Sequence, residues 1–316
     1  MAIVDLTCLS FCSIKAKNII KSLNLTALVQ PIFNGRSCTV ISIESPNFSM
    51  EFSLDEEKFM DSEDLFNYRP NSIVIGNYRK DHDTEYVTWV LTSPILYKEL
   101  VDRCLEIFHK KEVFVRMTWP SFTYDSIVDT FGNWGLGNIH YLFTEPSEKL
   151  MKNLPPARQL SLGGGRDRDF EKWLPQIYIQ NYDSISSNGL VVLSFDDMLS
   201  MNAKIIEVDF DDFHDKYMNR FVKMWIKGLY PRLEYISVIW QTQGTRVFDK
   251  VEVLKGIKHT ENPENEERIF TRSSENWNLE YTEIYKGGFD IRAKNGKKTT
   301  IVLNPEDPYF EMFVWP

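Results

Sequence analysis

The sequence predicts an α+β chain, and three observations carry that prediction. Near the N-terminus apolar residues recur at three- and four-residue steps, the period of a helix. Between residues 31 and 120 several runs alternate with period two, the mark of strands, so this stretch reads as β-rich. From residue 121 to 316 short strands and helices alternate as irregular β-α units and end in a β-hairpin region. The boundaries that follow are a helical segment over 1–30, a β-rich subdomain over 31–120 and an α/β domain over 121–316.

In the first segment Leu9, Cys12, Ala16, Ile19, Ile20 and Leu23 draw one apolar stripe, with Lys15, Lys17 and Lys21 largely off it. Asn24 and the region of Pro31 end that helix. Residues 38–43 then read as a strand, Ser45-Pro46-Asn47 as a turn, and Phe48 to Leu54 as a second strand that closes a hairpin. The acidic stretch from Asp55 to Asp64 reads as an exposed loop or short helix. Strands follow over 72–76 and 86–91. Ser93-Pro94 opens a helix whose core face is Leu96, Leu100, Val101, Cys104 and Phe108. Val113 to Met117 is the next strand.

Beyond it, 121–131 reads as helical, 139–143 as a strand, 147–154 as a short helix closed by Pro155-Pro156, and 158–162 as a strand ended by Gly163-Gly164-Gly165. Residues 205–210 form a strand, and Asp211 or Asp212 offers an N-cap to a helix with Tyr217, Phe221, Met224 and Trp225 on one face. Gly228 suits its C-cap, Pro231 stops it, and 233–240 is the strand that completes a parallel β-α-β unit. Leu160-Ser161-Leu162 and Glu207-Val208-Asp209 are expected as rungs of one irregular, leucine-rich-repeat-like stack, although their spacing gives no regular repeat. In the tail, 261–268 reads as a loop, 281–285, 289–292 and 299–303 as strands, and Asn295-Gly296 as a hairpin turn. Tyr309 to Trp315 is expected to pack back on the body.

Composition narrows the function. The net charge is −9 and the cations are scattered, which argues against phosphate neutralisation and so against nucleic acid as partner. Four cysteines, Cys8, Cys12, Cys38 and Cys104, lack both disulfide and zinc spacing and read as reduced thiols. No apolar run reaches the ~20 residues of a membrane span, and the N-terminus lacks the order of a signal peptide. A cytoplasmic or nuclear protein without membrane contact is the expectation.

No catalytic constellation emerges. The five histidines, His82, His109, His140, His214 and His259, do not pair at metal-ligand spacing. His214 lies among Asp209, Asp211, Asp212 and Asp215, a pattern that fits a metal site but fits better with helix-start acids meeting the dipole. The Gly163 to Arg168 run lacks the lysine of a phosphate loop and the dinucleotide spacing. Trp225, Tyr235 and Trp240 fit a binding surface or, preferably at this spacing, the core. No cofactor and no metal are expected.

Two stretches resemble a known family, the nematode F-box proteins that carry a type 2 F-box-associated domain. Leu9 to Asn24 (LSFCSIKAKNIIKSLN) is similar to the second half of the F-box. Met201-Asn202-Ala203-Lys204, then Asn219, Phe221, Trp225, Gly228 and Pro231-Arg232-Leu233-Glu234-Tyr235, resemble the signature of the associated domain, and Gly288 to Arg292 and Phe310 to Trp315 have the same character. The resemblance implies remnant F-box helices over 1–30 that dock onto a Skp1-related adaptor and a C-terminal domain that holds a target protein. Catalysis would then belong to partner enzymes of the ubiquitin ligase. Leu6, Leu9, Phe11, Ile19 and Ile20 are the candidates for adaptor contact, or else for packing on the protein's own body. The family's Leu-Pro first helix is missing upstream of them, which implies a truncated F-box. Two rival expectations are a stand-alone protein-binding domain uncoupled from the ligase, and a hydrolase with an unrecognised site.

Overall fold

A computed structural model describes residues 3–25, 27–34, 38–45, 48–54, 72–78, 84–90, 96–119, 135–142, 157–163, 174–188, 193–210, 214–240, 248–274, 279–303 and 309–316. The expected elements at 55–64, 121–131 and 147–154 lie outside these residues, as do Asp211 and Asp212. The chain forms two compact units, one over Met1–Ala157 and one over Arg158–Ser274 with Asn278–Pro316.

The first unit starts with two helices where the apolar stripe alone predicts one, α1 (Ile3–Cys12) and α2 (Ile14–Lys21). Ser13 makes the break. Its backbone is extended at φ −161° and ψ 157°, and its hydroxyl accepts the Ala16 amide at 3.0 Å. A serine that caps a new helix competes with continuation of the old one. The predicted stripe is consequently split: Ile20 is buried, whereas Leu9, Ile19 and Leu23 are exposed. Asn24, at φ 51°, turns the chain out of α2.

Both helices are latched to α3 (Tyr97–Ile107), whose Leu100, Val101 and Cys104, with the following Phe108, are buried as their spacing predicts. Lys17 reaches Glu106 at 2.6 Å and Lys21 reaches it at 3.5 Å. Hydrogen bonding from Lys17 holds the Glu106 carboxyl below the ordinary range. Arg103 donates to the Ser10 carbonyl at 3.4 Å, and the His109 ring meets the Lys21 carbonyl at 2.9 Å.

The strands of this unit are β1 (Leu28–Asn34), β2 (Cys38–Ser45), β3 (Phe48–Leu54), β4 (Ser72–Tyr78), β5 (Thr84–Val90), β6 (Glu112–Trp119) and β7 (Gly135–Leu142). Their order is β7-β6-β1-β2-β3-β4-β5. The β1 to β5 run is an antiparallel meander, and β6 lies parallel to both β1 and β7. The β2–β3 hairpin expected around Ser45 is present, and its register sets Ile41 opposite Phe52 and Ile43 opposite Met50, all four buried.

The second unit contains β8 (Ala157–Gly163), α4 (Leu174–Tyr178), β9 (Ser184–Asn188), α5 (Phe195–Ser200), β10 (Ile205–Phe210), α6 (Asp215–Ile226), β11 (Tyr235–Trp240) and α7 (Lys250–Val253). Strands β8, β9, β10 and β11 run parallel, and helices bridge them. Strand β10 pairs with β11 over six rungs, so the predicted β-α-β unit is present. Helix α6 buries Met218, Phe221, Val222 and Trp225, a three- and four-residue stripe against the sheet. Gly228 follows the helix at φ +90°, a left-handed conformation that residues with a side chain rarely adopt.

The remaining strands are β12 (Thr260–Glu261), β13 (Glu267–Ser274), β14 (Leu279–Lys286), β15 (Phe289–Arg292), β16 (Lys298–Leu303) and β17 (Tyr309–Val314). They extend the sheet in the order β11-β17-β16-β15-β12, while β13 and β14 form a separate two-stranded ladder. The tail packs back as expected: β17 enters between β11 and β16, antiparallel to both. Gly296, at φ +88°, turns the predicted β15–β16 hairpin. Part of the expected loop at 261–268 is strand, because Glu261 belongs to β12 and Glu267 and Arg268 to β13. Long-range bonds recruit them. Arg268 donates to Asp290 at 2.8 Å, to Thr300 at 3.1 Å and to the Gly287 carbonyl at 2.7 Å. Phe270 of β13 joins Tyr235 and Phe313 in a buried aromatic cluster, with ring centroids of Phe270 and Phe313 4.9 Å apart.

Asp290 holds this corner together. Its carboxylate takes Arg268, Lys298 at 2.7 Å and the Thr300 hydroxyl at 2.6 Å. Burial alone would raise its pKa, but the hydrogen bonds from Lys298, Thr300, Arg268 and Asn262 outweigh burial and hold it well below the usual carboxylate range. An unfolded aspartate titrates near ~3.9. The folded value is depressed, so this contribution to stability is complete above that pH and is lost as the pH falls below it. Urea unfolding followed from neutral to acid pH is therefore expected to show wild type more stable than Asp290→Asn at pH 6, with the gap narrowing steadily below about pH 4. A gap unchanged down to the acid limit would contradict this account.

Candidate functional site

The motif residues singled out in the sequence converge on the leading edge of the parallel sheet. The centre is Asp183, immediately before β9. Its carbonyl accepts the amides of Lys204 at 3.1 Å and Ile205 at 3.0 Å. Its carboxylate takes the Lys204 ammonium at 2.7 Å and the Arg232 guanidinium at 3.3 Å. Arg232 also donates to the Asn202 carbonyl at 2.9 Å, and the Asn202 amide donates to Asn181 at 2.6 Å. The Lys204 carbonyl then accepts the amides of Glu234 at 2.8 Å and Tyr235 at 3.0 Å. Asn202, Lys204, Arg232, Glu234 and Tyr235 thus stitch the entrances of β9, β10 and β11 to one another.

The other motif residues fasten α6. The Asn219 amide donates to the carbonyls of Val253 at 2.8 Å and Lys255 at 2.9 Å, which satisfies the C-terminal end of α7. Asp215, on the first turn of α6, accepts the Asp249 amide at 3.0 Å at the other end of α7. Phe221 and Trp225 are buried, and Phe221 meets Tyr230 at 4.8 Å. Leu233 is buried, while Pro231 is exposed and its carbonyl accepts Lys297 at 3.3 Å. The Tyr235 ring is buried and its hydroxyl donates to Glu311 at 2.7 Å. Trp225 and Tyr235 are therefore core residues and not a binding surface. Asp183 went unnoticed in the sequence because its partners lie 21 and 49 residues away, and no local pattern marks it.

Burial shifts several ionisable groups of the interior. Burial pushes the Cys104 thiol up, away from the thiolate that a nucleophile needs. Burial likewise raises the hydroxyls of Tyr178 and Tyr182, and that of Tyr230 to about 12. Among the described residues no three His, Cys, Asp or Glu side chains gather as a metal site. His214 is the exposed N-cap residue of α6, its ring 5.6 Å from Tyr217, and the carboxylate of the adjacent Asp215 is engaged by Asp249. No helix of the described residues is long and apolar enough to cross a membrane.

The five adaptor candidates divide by exposure. Leu9 and Ile19 face solvent, 42% and 57% exposed, and Ile14 and Leu23 beside them in sequence are 71% and 50% exposed. Leu6 and Phe11 are half-buried, with Phe11 6.5 Å from Phe52 and beneath the Arg103 guanidinium at 5.8 Å. Ile20 is buried. The first two helices thus present large aliphatic side chains to solvent while Phe11 and Ile20 anchor them inward.

The Asp183 hub makes a direct forecast. Asp183→Ala leaves Arg232 and Lys204 facing each other without their counter-charge and is expected to cost about 1–3 kcal/mol in chemical denaturation. Pro231→Ala, at an exposed site, is expected to cost less than about 1 kcal/mol. Equal losses for the two would remove Asp183 from the centre of the network.

No curated protein and no solved structure matches the chain. The family model described as F-box associated matches residues 173–238, the span from α4 into β11 that contains Asp183 and all eleven motif residues described above.

Proposed function

We propose that this protein is the substrate-recognition subunit of a Skp1-cullin-F-box type ubiquitin ligase, of the nematode family with a type 2 F-box-associated domain. The observation that carries the reading is the F-box-associated match over 173–238. The aliphatic side chains that α1 and α2 hold in solvent add to it. On this reading α1 and α2 are the second and third helices of an F-box, Leu9 and Ile19 touch a Skp1-related adaptor, and the C-terminal domain holds the target. The domain's β-α units would be an irregular relative of the leucine-rich stack.

The mechanism is proximity. A bound target is held near the partner enzymes that transfer ubiquitin, which raises the effective concentration of its lysines. No group of this chain then needs to react. That agrees with raised thiol and phenol pKa values and with motif residues consumed by the fold.

Exposed large aliphatics on a soluble surface mark an interaction site more often than an accident when they gather on neighbouring elements. The test is capture of a purified Skp1-related protein by the full chain. Wild type is expected to retain it, and Ile19→Glu and Leu9→Glu are each expected to lower retention at least tenfold while the melting temperature stays within a few degrees. Failure of wild type to bind any Skp1-related protein would overturn the ligase role and leave the stand-alone binding domain as the reading.

A further inference from the structure

We infer that the outer face of the β13–β14 ladder is a self-association surface, a weak two-fold dimer interface between copies of this chain. The ladder has two unlike faces. Phe270 and Tyr285 point inward, onto Phe313, Tyr235 and Trp315. The opposite face carries Ile269 and Ile284, which are directly paired across the strands and each 61% exposed. Large β-branched residues placed opposite each other on an open sheet face are costly in water and gain most from being covered.

The composition of that face indicates what covers it. In register, the outward rungs are Glu267 with Lys286, Ile269 with Ile284, and Thr271 with Thr282. These three pairs are matched in chemistry: an acid with a base, aliphatic with aliphatic, hydroxyl with hydroxyl. Glu267 and Lys286 lie 3.0 Å apart and are both exposed. A two-fold axis running along the ladder, parallel to its strands, lays β13 of one copy over β14 of the other. Each Glu267 then faces a Lys286 of the second copy, each Ile269 an Ile284, and each Thr271 a Thr282. No like charges meet on these three rungs, and the four isoleucines form a closed apolar patch. Sheets packed face to face in this aligned manner are a common arrangement. An interface in which the same patch serves both copies is what a two-fold dimer requires.

Size sets the strength. Eight residues at roughly 3.4 Å each and two strands roughly 4.8 Å apart give a face of only a few hundred Å². A standard stable interface takes about 800 Å² from each partner. The dimer is accordingly weak, populated at tens to hundreds of micromolar and favoured wherever the chain is locally concentrated. An unrelated partner would need its own matching order of charge and aliphatic residues, whereas a second copy supplies it by symmetry.

The experiment is sedimentation velocity of the full chain across a concentration series, with circular dichroism as the check on folding. Wild type is expected to show a concentration-dependent dimer. Ile284→Glu is expected to weaken it at least tenfold with an unchanged far-ultraviolet spectrum. Glu267→Lys sets lysine over lysine and is expected to weaken it as well, while Glu267→Lys combined with Lys286→Glu restores the complementarity and the dimer. Wild type that stays monomeric throughout, a folded Ile284→Glu variant that dimerises as well as wild type, or a double swap no better than the single change would each overturn the proposal. The inference does not rest on the ligase reading, since adaptor capture is measured separately.

Discussion

The second unit depends on one carboxylate placed before a strand. Asp183 offers its carbonyl to the start of β10 and its side chain to Lys204 and Arg232. Lys204 in turn offers its carbonyl to the start of β11. Parallel strands need their relative offset fixed, because a slip by one residue turns every side chain to the other face. In β10 that alternation is strict, with Ile206, Val208 and Phe210 buried and their neighbours half-buried. A hub at the strand entrances fixes the offset where the chain leaves each crossover. Its cost is three charged side chains drawn partly out of water, offset by the ion pairs of Asp183 with Lys204 and Arg232 and by the Arg232 bond to the Asn202 carbonyl.

This changes how the motif over Asn202 to Tyr235 is to be understood. Its polar members bind other parts of the chain, and its apolar members are core. A signature of this kind identifies an architecture, while specificity must lie on surfaces that the signature leaves open. Two places where the described residues expose large aliphatics, the α1–α2 segment and the β13–β14 ladder, lie outside the matched span.

The sequence made the local elements legible to the extent that local physics decides them. Residues 205–210 and 289–292 follow strand patterning to the residue, and Gly228 and Asn295-Gly296 mark conformations that few other residues adopt. The split of the first helix was also written locally, in Ser13, but an uninterrupted apolar stripe outweighed a single capping residue. What could not be read was long-range. Arg268 looks like a loop residue until Asp290, 22 positions on, takes its guanidinium. Asp183 looks like any turn acid. In both cases the partner lies on a different element, and periodicity carries no information about which elements meet.

The two exposed surfaces would act together if both functions hold. An adaptor that captures its target through a single weak surface releases it quickly. A chain that also pairs weakly with itself presents two target surfaces in one assembly, and a target with two matching segments is then held by both. The second contact occurs at an effective concentration set by the dimer geometry and not by the cellular concentration of the target. A small, reversible interface serves this better than a permanent one. At low concentration the chain stays single and non-committal, and crowding of copies at a ligase converts modest contacts into retention. The matched rungs of Glu267 with Lys286 and Ile269 with Ile284 supply an interface of that strength.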